Sequence, residues 1–567
     1  MPRPDGLAGN AGRMGRMVTV RHPNRSRPRR GRWWLAFALL AWAAGGAPVA
    51  AAGGPRAPRV TLASGVLQGR WARVDGTRLG EFRGVPYAAA PVGRRRWRPP
   101  QPVAAWTGVR DASHFAARCM QLPLFGDMVF RADGMSEDCL YLNVWTPASS
   151  SQVRAKLPVL VYFFGGGFVA GDGSEPRYDG ASLAARGLVI VTVNYRLGVF
   201  GFLALPALAA ESPRHAAGDY GLLDQVAALK WVRANIARFG GDPRRITIGG
   251  ESAGSISASA LMVSPLARSL IAGAIGESGA MVAPLGPQPL AEAERRGEAF
   301  AAAVGARSLA ALRAMSASTL LRATAPAAER NFAFSPDVDG YFLTESPARS
   351  FARGAQARVP LLVGGNSAEG AFESLLGNAP PTPANYRAAL EHRFGPLAGR
   401  AAALYPGPTV AAVRHSAAAL AGDLFIAHTT WRWMDLARRG GKAPVYFYYF
   451  DKARPPPRHP APGETNAIGA VHSGEIEYAL GNLGGNTVYA WTPADFAVSR
   501  TMEGYFARFI ATGNPNGPGL PVWPAARTVV GGVSRQTIGI DTRTTVDRNA
   551  LRQAFLMRYF AARPSIR

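Results

Sequence analysis

Gly250-Glu251-Ser252-Ala253-Gly254 lies between two contrasting stretches of chain. Before it, Arg245-Ile-Thr-Ile-Gly-Gly reads as a buried strand; after it, Ser255-Ile-Ser-Ala-Ser-Ala-Leu-Met reads as a helix. A serine on a sharp strand-to-helix turn has its hydroxyl pushed clear of the backbone, and flanking glycines relieve the crowding. The pentapeptide alone is weak. With 65 glycines in 567 residues, chance supplies roughly 0.4 such patterns, so the surrounding sequence has to carry the reading.

That surrounding sequence alternates apolar, β-rich runs with helical segments. The strands expected are Leu157–Phe164, Leu188–Tyr195, Arg245–Gly250, Pro360–Gly364 and Pro444–Phe450, with amphipathic stretches such as Leu222–Phe239 between them. This alternation predicts an α/β fold with a mostly parallel sheet and helices on both faces. Val60–Trp71 and Glu81–Tyr87 are expected to form an antiparallel N-terminal β-ribbon. Two Ala-rich regions, about 281–357 and 373–440, read as helical insertions over the sheet's carboxyl edge, where such sheets place their sites. No linker separates a second domain, and no repeat of fixed period is present.

A serine hydroxyl is a poor nucleophile until a base takes its proton, and the base needs an orienting acid. Leu362-Val-Gly-Gly-Asn-Ser-Ala-Glu369-Gly370 places a carboxylate at a strand's carboxyl end. Five histidines follow it. His392, His415 and His428 fall in helical, Ala-rich segments and His459 in a proline-rich loop, whereas His472 stands in a polar loop just before a helical run. The order Ser252, Glu369, His472 is that of the α/β-hydrolases. Phe163-Phe164-Gly165-Gly166-Gly167-Phe168 follows the strand 157–164 and suits an oxyanion hole, where backbone N–H groups must approach a developing negative charge. Ala253 offers a further N–H. A phosphate-binding loop would need a lysine and a Ser/Thr that this stretch lacks.

The formal charge of +27 raises the question of nucleic acid. Only four of the 64 basic residues are lysine, and the arginines are scattered without a basic patch interleaved with aromatics, so nucleic acid is not the expected partner. Residues 1–52 carry +8 of that charge. There a basic region ending Arg27-Pro-Arg-Arg-Gly-Arg32 precedes the apolar Trp33–Ala44 and the small residues Ala50-Ala51-Ala52. This predicts a cleaved export signal over 1–52, with Met14 or Met17 as alternative starts, followed by one enzyme domain over 53–567. The apolar core is shorter than the ~20 residues of a membrane span, so no stable insertion is expected after cleavage. Twin-arginine export, suggested by Arg29-Arg30, fits poorly with the residues immediately after that pair. In an oxidising compartment Cys119 and Cys139 are expected to pair, the alternative being two buried thiols. Two cysteines and eight dispersed histidines make no metal-ligand cluster, so neither metal nor other cofactor is expected.

The chain resembles the type-B carboxylesterase family, the cholinesterase-like branch of the α/β-hydrolases, from about Gly65 onward. The resemblance rests on Phe82-Arg-Gly-Val-Pro-Tyr-Ala88, Ser136-Glu-Asp-Cys-Leu-Tyr-Leu-Asn-Val144 and Asn194-Tyr-Arg-Leu-Gly-Val-Phe-Gly201. It continues in Gly221-Leu-Leu-Asp-Gln225, Asn235-Ile-Ala-Arg-Phe-Gly-Gly-Asp-Pro243, Thr512-Gly-Asn-Pro-Asn516 and Pro521-Val-Trp-Pro524. It implies a Ser252–Glu369–His472 triad, an oxyanion hole from the amides of Gly166, Gly167 and Ala253, and a support network of Glu251, Ser278 and Glu475. It also implies that Cys119–Cys139 is the family's first disulfide loop. Two departures stand out. Phe164 replaces a histidine common before the three glycines, which is expected to alter pocket shape. The 119–139 loop holds Phe125 and Phe130 but no Trp or Tyr, which disfavours a choline ester. The expectation is an exported serine esterase acting on small carboxylic esters, favouring short to medium acyl or aryl groups. Its alternatives are a lipase working on aggregated lipid and a non-catalytic binding or adhesion protein of the same fold. Oligomeric state is not legible in the sequence.

Overall fold

The computed structural model describes residues 56–147, 155–331, 334–459 and 468–562. The expected export signal, 1–52, lies outside them. Runs such as Val-Ile-Val-Thr-Val are β-branched and buried on both faces, as a strand covered by helices on each side must be. Such runs build a 12-stranded sheet. In chain order its strands are β1 (Arg70–Val74), β2 (Thr77–Pro86), β3 (Tyr141–Thr146), β4 (Leu157–Phe163), β5 (Val189–Val193) and β6 (Gly241–Gly250). The remainder are β7 (Gly273–Glu277), β8 (Leu361–Asn366), β9 (Val445–Phe450), β10 (Thr528–Val529), β11 (Gly532–Ile538) and β12 (Arg543–Asp547).

The spatial order is β10-β11-β9-β8-β7-β6-β4-β5-β3-β2-β1, with β12 also paired to β11. Every pairing from β11 across to β5 is parallel, and the pairings at both edges are antiparallel. This is the mostly parallel α/β sheet expected from the alternating pattern, in the α/β-hydrolase arrangement that the resemblance implies. Helices α1 (Tyr220–Asn235) and α2 (Ala253–Val263) belong to the covering layers, and every residue of α2 is buried.

The N-terminal expectation needs refinement. Val60–Trp71 is three short strands rather than one: Arg59–Leu62, Gly65–Gln68, and the start of β1. The first break, at Ala63-Ser64, leads into Gly65, whose φ of 145° suits glycine alone and where a side chain would run into the Trp106 ring.

Residues 410–440 form a continuous helix interrupted by a π-helical segment, Asp423–Ala427. Among the described residues it is the one helix long and apolar enough to cross a membrane. Here it is built into the protein. Trp433 is fully buried, packs against Phe351 and lies over Gly276 of β7. Helices of the 373–422 region share a separate apolar cluster with the C-terminal helix Ala550–Ala561.

Candidate active site

Four neighbouring strands deliver the site. At their carboxyl ends, β4 runs into the glycine loop, β6 into Ser252, β7 into Ser278 and β8 into the turn bearing Glu369. His472 arrives from beyond β9. Its loop is pinned to the Glu369 turn where Ala368 N–H donates to Ala470 O at 2.8 Å and Ala470 N–H to Ser367 Oγ at 2.9 Å.

Ser252 has φ 54° and ψ −118°, a strained conformation for a residue with a side chain. Its N–H donates to Glu277 O at 2.8 Å, and Ile256 N–H donates back to Ser252 O at 2.9 Å. A Cβ at Gly254 would collide with Phe163 O, and one at Gly250 with both Phe163 O and Gly254. The glycines of the pentapeptide are therefore required by the closeness of β4, while the serine itself carries the positive φ.

The three side chains singled out in the sequence meet. Ser252 Oγ lies 3.1 Å from His472 Nε2, and His472 Nδ1 lies 2.7 Å from Glu369 Oε2. An ionised carboxylate can only accept, so Nδ1 carries a proton and Nε2 of the neutral ring is left to accept from the serine. The other Glu369 oxygen accepts from Ser278 Oγ at 2.5 Å and Asn366 N–H at 2.6 Å.

Behind this series stands a buried group of acids. Glu475 Oε2 accepts from Asn366 Nδ2 at 2.5 Å, and its Oε1 lies 3.4 Å from Ser278 Oγ. Glu251 Oε1 accepts from Ser473 Oγ at 2.7 Å and lies 3.2 Å from His472 Nε2. Glu277 accepts from Tyr162 O–H at 3.0 Å, and its second oxygen has no partner among the described residues. Burial pushes the Glu475 carboxyl up to about 8, with Glu251 and Glu369 adding to the shift. Burial and the neighbouring Glu475 hold Glu277 well above the usual carboxylate range. Burial alone would lower His472, but the carboxylates of Glu251, Glu369 and Glu475 outweigh it and raise the imidazole to about 9.

In the glycine loop, Gly166 and Gly167 have φ of 104° and 63°. None of the amides of Gly166, Gly167 and Ala253 donates a hydrogen bond among the described residues. Phe164 departs from expectation. Its ring is 1% exposed and stacks on Tyr195 at 4.4 Å, so it props the loop from the core instead of shaping a pocket.

Cys119 and Cys139 form a disulfide. The loop they close reaches the site, with the Met128 methyl against Gly166. Met120, Leu122 and Leu124 line a narrow apolar cleft with Val169, Phe200 and Phe334. The loop is fastened to the segment after the glycines by Arg177–Asp127 at 3.0 Å and Arg131–Asp179 at 2.7 Å. From the other side, Phe425 in the π-helical segment meets the His472 ring edge-on at 5.0 Å.

Sequence reasoning did not assign roles to Glu277, Asn366, Ser473 or Phe425. Glu277 and Ser473 adjoin Ser278 and His472 in the chain, and Asn366 lies three residues before Glu369, which was the available signal. Phe425 had none, because only the π-helical turn brings it to His472. No group of metal-ligating side chains occurs among the described residues.

A largely parallel sheet that gathers serine, histidine and carboxylate in hydrogen-bonded series beyond its strand ends is that of an α/β-hydrolase. Comparison with known proteins gives the family. Residues 56–393 and 403–556 match the model of the carboxylesterase family. The chain is 36% identical to a fumonisin B1 esterase from Sphingopyxis macrogoltabida, over 78% of this chain and 81% of that protein. It is 35% identical to a para-nitrobenzyl esterase from Bacillus subtilis (85% and 96%) and 35% identical to a human cocaine esterase (82% and 86%). The chain belongs to the carboxylesterase family and is a carboxylic ester hydrolase.

Proposed function

We propose that the protein is an exported serine esterase whose nucleophile is Ser252, base His472 and orienting acid Glu369. The reading rests on the series Ser252 Oγ–His472 Nε2 at 3.1 Å and His472 Nδ1–Glu369 Oε2 at 2.7 Å. Ser252 attacks the ester carbonyl as Nε2 takes its proton, and Glu369 stabilises the imidazolium. The free amides of Gly166, Gly167 and Ala253 receive the oxyanion. Nε2 returns the proton to the leaving alcohol, and water then hydrolyses the acyl-enzyme by the same steps. The chemistry needs no cofactor.

The substrates favoured are short to medium acyl or aryl esters. The apolar side chains that the 119–139 loop brings beside the glycines suit such groups, and a para-nitrobenzyl esterase is among the relatives. A soluble ester is favoured over aggregated lipid. The loop over the glycines is held by a disulfide and two arginine ion pairs, which oppose the opening a surface-activated lid would need. The disulfide also supports export.

The test is hydrolysis of p-nitrophenyl esters from acetate to palmitate by wild type and Ser252→Ala. Turnover of the shorter esters that vanishes in the variant is expected. Retained turnover in Ser252→Ala would refute the nucleophile, and a rate that jumps only when long-chain substrate aggregates would favour the lipase.

A further inference from the structure

The proline tract Arg454-Pro-Pro-Pro-Arg458 has no role in the triad's chemistry. It extends from β9 and is held against the segment 488–490. Arg458 N–H donates to Val488 O at 2.8 Å, Ala490 N–H donates to Pro456 O at 3.1 Å, and Pro457 bridges Tyr489. Three successive prolines have fixed φ and lose little freedom on folding, so they make a stiff mount for the residue before them.

That residue is Arg454. Its side chain is 9% exposed and lies over the Tyr489 ring at 5.0 Å. One guanidinium nitrogen donates both to Glu477 Oε2 at 2.7 Å and to Ser473 O at 2.8 Å. Ser473 directly follows His472 and has φ of 62°, which a residue with a side chain holds only when its surroundings impose it. The Ser473 hydroxyl is tied to Glu251, and Val471 O on the other side of the histidine accepts from Asn366 Nδ2 at 2.9 Å. The two peptides flanking His472 are thus anchored separately. Asn366 and Ala368 hold the incoming side, while Arg454 and Glu251 hold the outgoing side.

We propose that Arg454 is a positioning residue for His472. It fixes the Ser473 peptide so that Nε2 stays between Ser252 Oγ and its own backbone support. The inference rests on His472 being the base. Arg454 makes no contact with Ser252 or with the imidazole, and its effect passes through Ser473, the strained residue next to His472. Displacing a reacting group by about 1 Å can cost on the order of 100-fold in rate. Loss of the clamp therefore acts on kcat and leaves KM, which reports ester binding, nearly unchanged.

The experiment measures kcat, KM and Tm on p-nitrophenyl butyrate for wild type, Arg454→Lys, Arg454→Ala and His472→Ala. The expected result is a kcat reduced on the order of 10- to 100-fold in Arg454→Ala, with KM changed less than about twofold. Added guanidinium chloride, but not sodium chloride, should restore part of the lost kcat by refilling the site between Tyr489, Glu477 and Ser473. Arg454→Lys should fall between, since an ammonium lacks the guanidinium's fixed fork. If Arg454→Ala does not fold, Arg454→Lys decides: a lowered kcat at unchanged KM and Tm upholds the clamp, and a wild-type kcat overturns it. Full kcat in folded Arg454→Ala, or a loss that guanidinium does not reverse, also overturns it. If His472→Ala keeps wild-type activity, the assignment of the base fails. If His472→Ala is inactive and the Arg454 variants are normal, the clamp alone fails.

Discussion

Replacing Glu251 by glutamine should move the acid limb of the pH–activity profile to lower pH. In the wild type, Glu251 Oε1 lies 3.2 Å from His472 Nε2, the nitrogen that must be unprotonated to act as a base. The charge of that carboxylate, with Glu369 and Glu475 adding to it, stabilises the protonated ring, so the proton is retained and the imidazole rises to about 9. At an effective dielectric of about 20, two full charges at this distance interact by about 5 kcal/mol, equivalent to nearly four pKa units. That is an upper limit, because burial raises Glu251's own pKa and so part of the proton's binding is shared with its carboxyl. A displacement of at least about one unit, from near 9 toward 8 or lower, is the expected floor. Glutamine keeps the shape and can still accept from the Ser473 hydroxyl.

The assay is kcat/KM for a soluble p-nitrophenyl ester against pH, since this ratio reports the ionisation of the free enzyme. Wild type should be limited by an alkaline pKa, and Glu251→Gln should reach its plateau earlier. The plateau itself can fall, because a carboxylate near the imidazolium also stabilises the transition state. Plateau height and limb position are therefore read separately. A folded Glu251→Gln enzyme whose limb is unmoved, or moved upward, would refute the electrostatic account of His472.

Two further outcomes concern other parts of the fold. Asp219 and Asp337 are buried together, and three of their four carboxyl oxygens lack a hydrogen-bond partner among the described residues. Burial, then the neighbouring acids, hold both well above the usual range. The folded state then binds more protons than the unfolded one, so their contribution to stability falls as pH rises above the unfolded value of about 3.9. Asp337→Asn should therefore raise stability by about 1–3 kcal/mol near neutral pH and much less near pH 4, read as Tm against pH. A variant no more stable than wild type at neutral pH would contradict this. Removing the Cys119–Cys139 bond by a double alanine substitution should cost about 3 kcal/mol from loop entropy at its 20-residue separation. Denaturant unfolding measures it, and an unchanged midpoint would mean the ion pairs of Arg131 and Arg177 hold the loop unaided.

The serine, the acid and the histidine were legible because each sits where a local pattern changes, at a strand's end or in a polar loop ahead of a helix. The glycine loop was legible for the same reason. Strand β7 was not. Gly-Ala-Ile-Gly-Glu has one β-branched residue in five, and it is a strand because β6 and β8 pair with it on both sides. Phe425 was equally hidden. Its contact with His472 depends on a π-helical turn, and nothing in Asp-Leu-Phe-Ile-Ala marks one.

The acid group behind the histidine shows why local patterns stop short of the electrostatics. Glu251, Glu277, Glu369 and Glu475 come from four separate segments, and each looks ordinary in its own stretch. Their convergence is a property of adjacent strand ends, and it constrains their charges. Four carboxylates and one imidazole cannot all be ionised in a buried space, so some carboxyls must keep protons. The hydrogen bonds indicate which. Glu369 accepts from an imidazole, a hydroxyl and an amide. Glu475 has one amide donor and burial that pushes it up to about 8, and Glu277 has one phenol donor and an unpartnered oxygen. Glu475 and Glu277 make no hydrogen bond to the imidazole, whereas Glu369 and Glu251 face its two nitrogens. A protonated Glu475 can donate toward Ser278 Oγ, whose own proton goes to Glu369, so Glu475 supports Glu369 through a single hydroxyl. On this account the hydrogen-bond supply, more than the number of acids, decides which carboxyl orients His472.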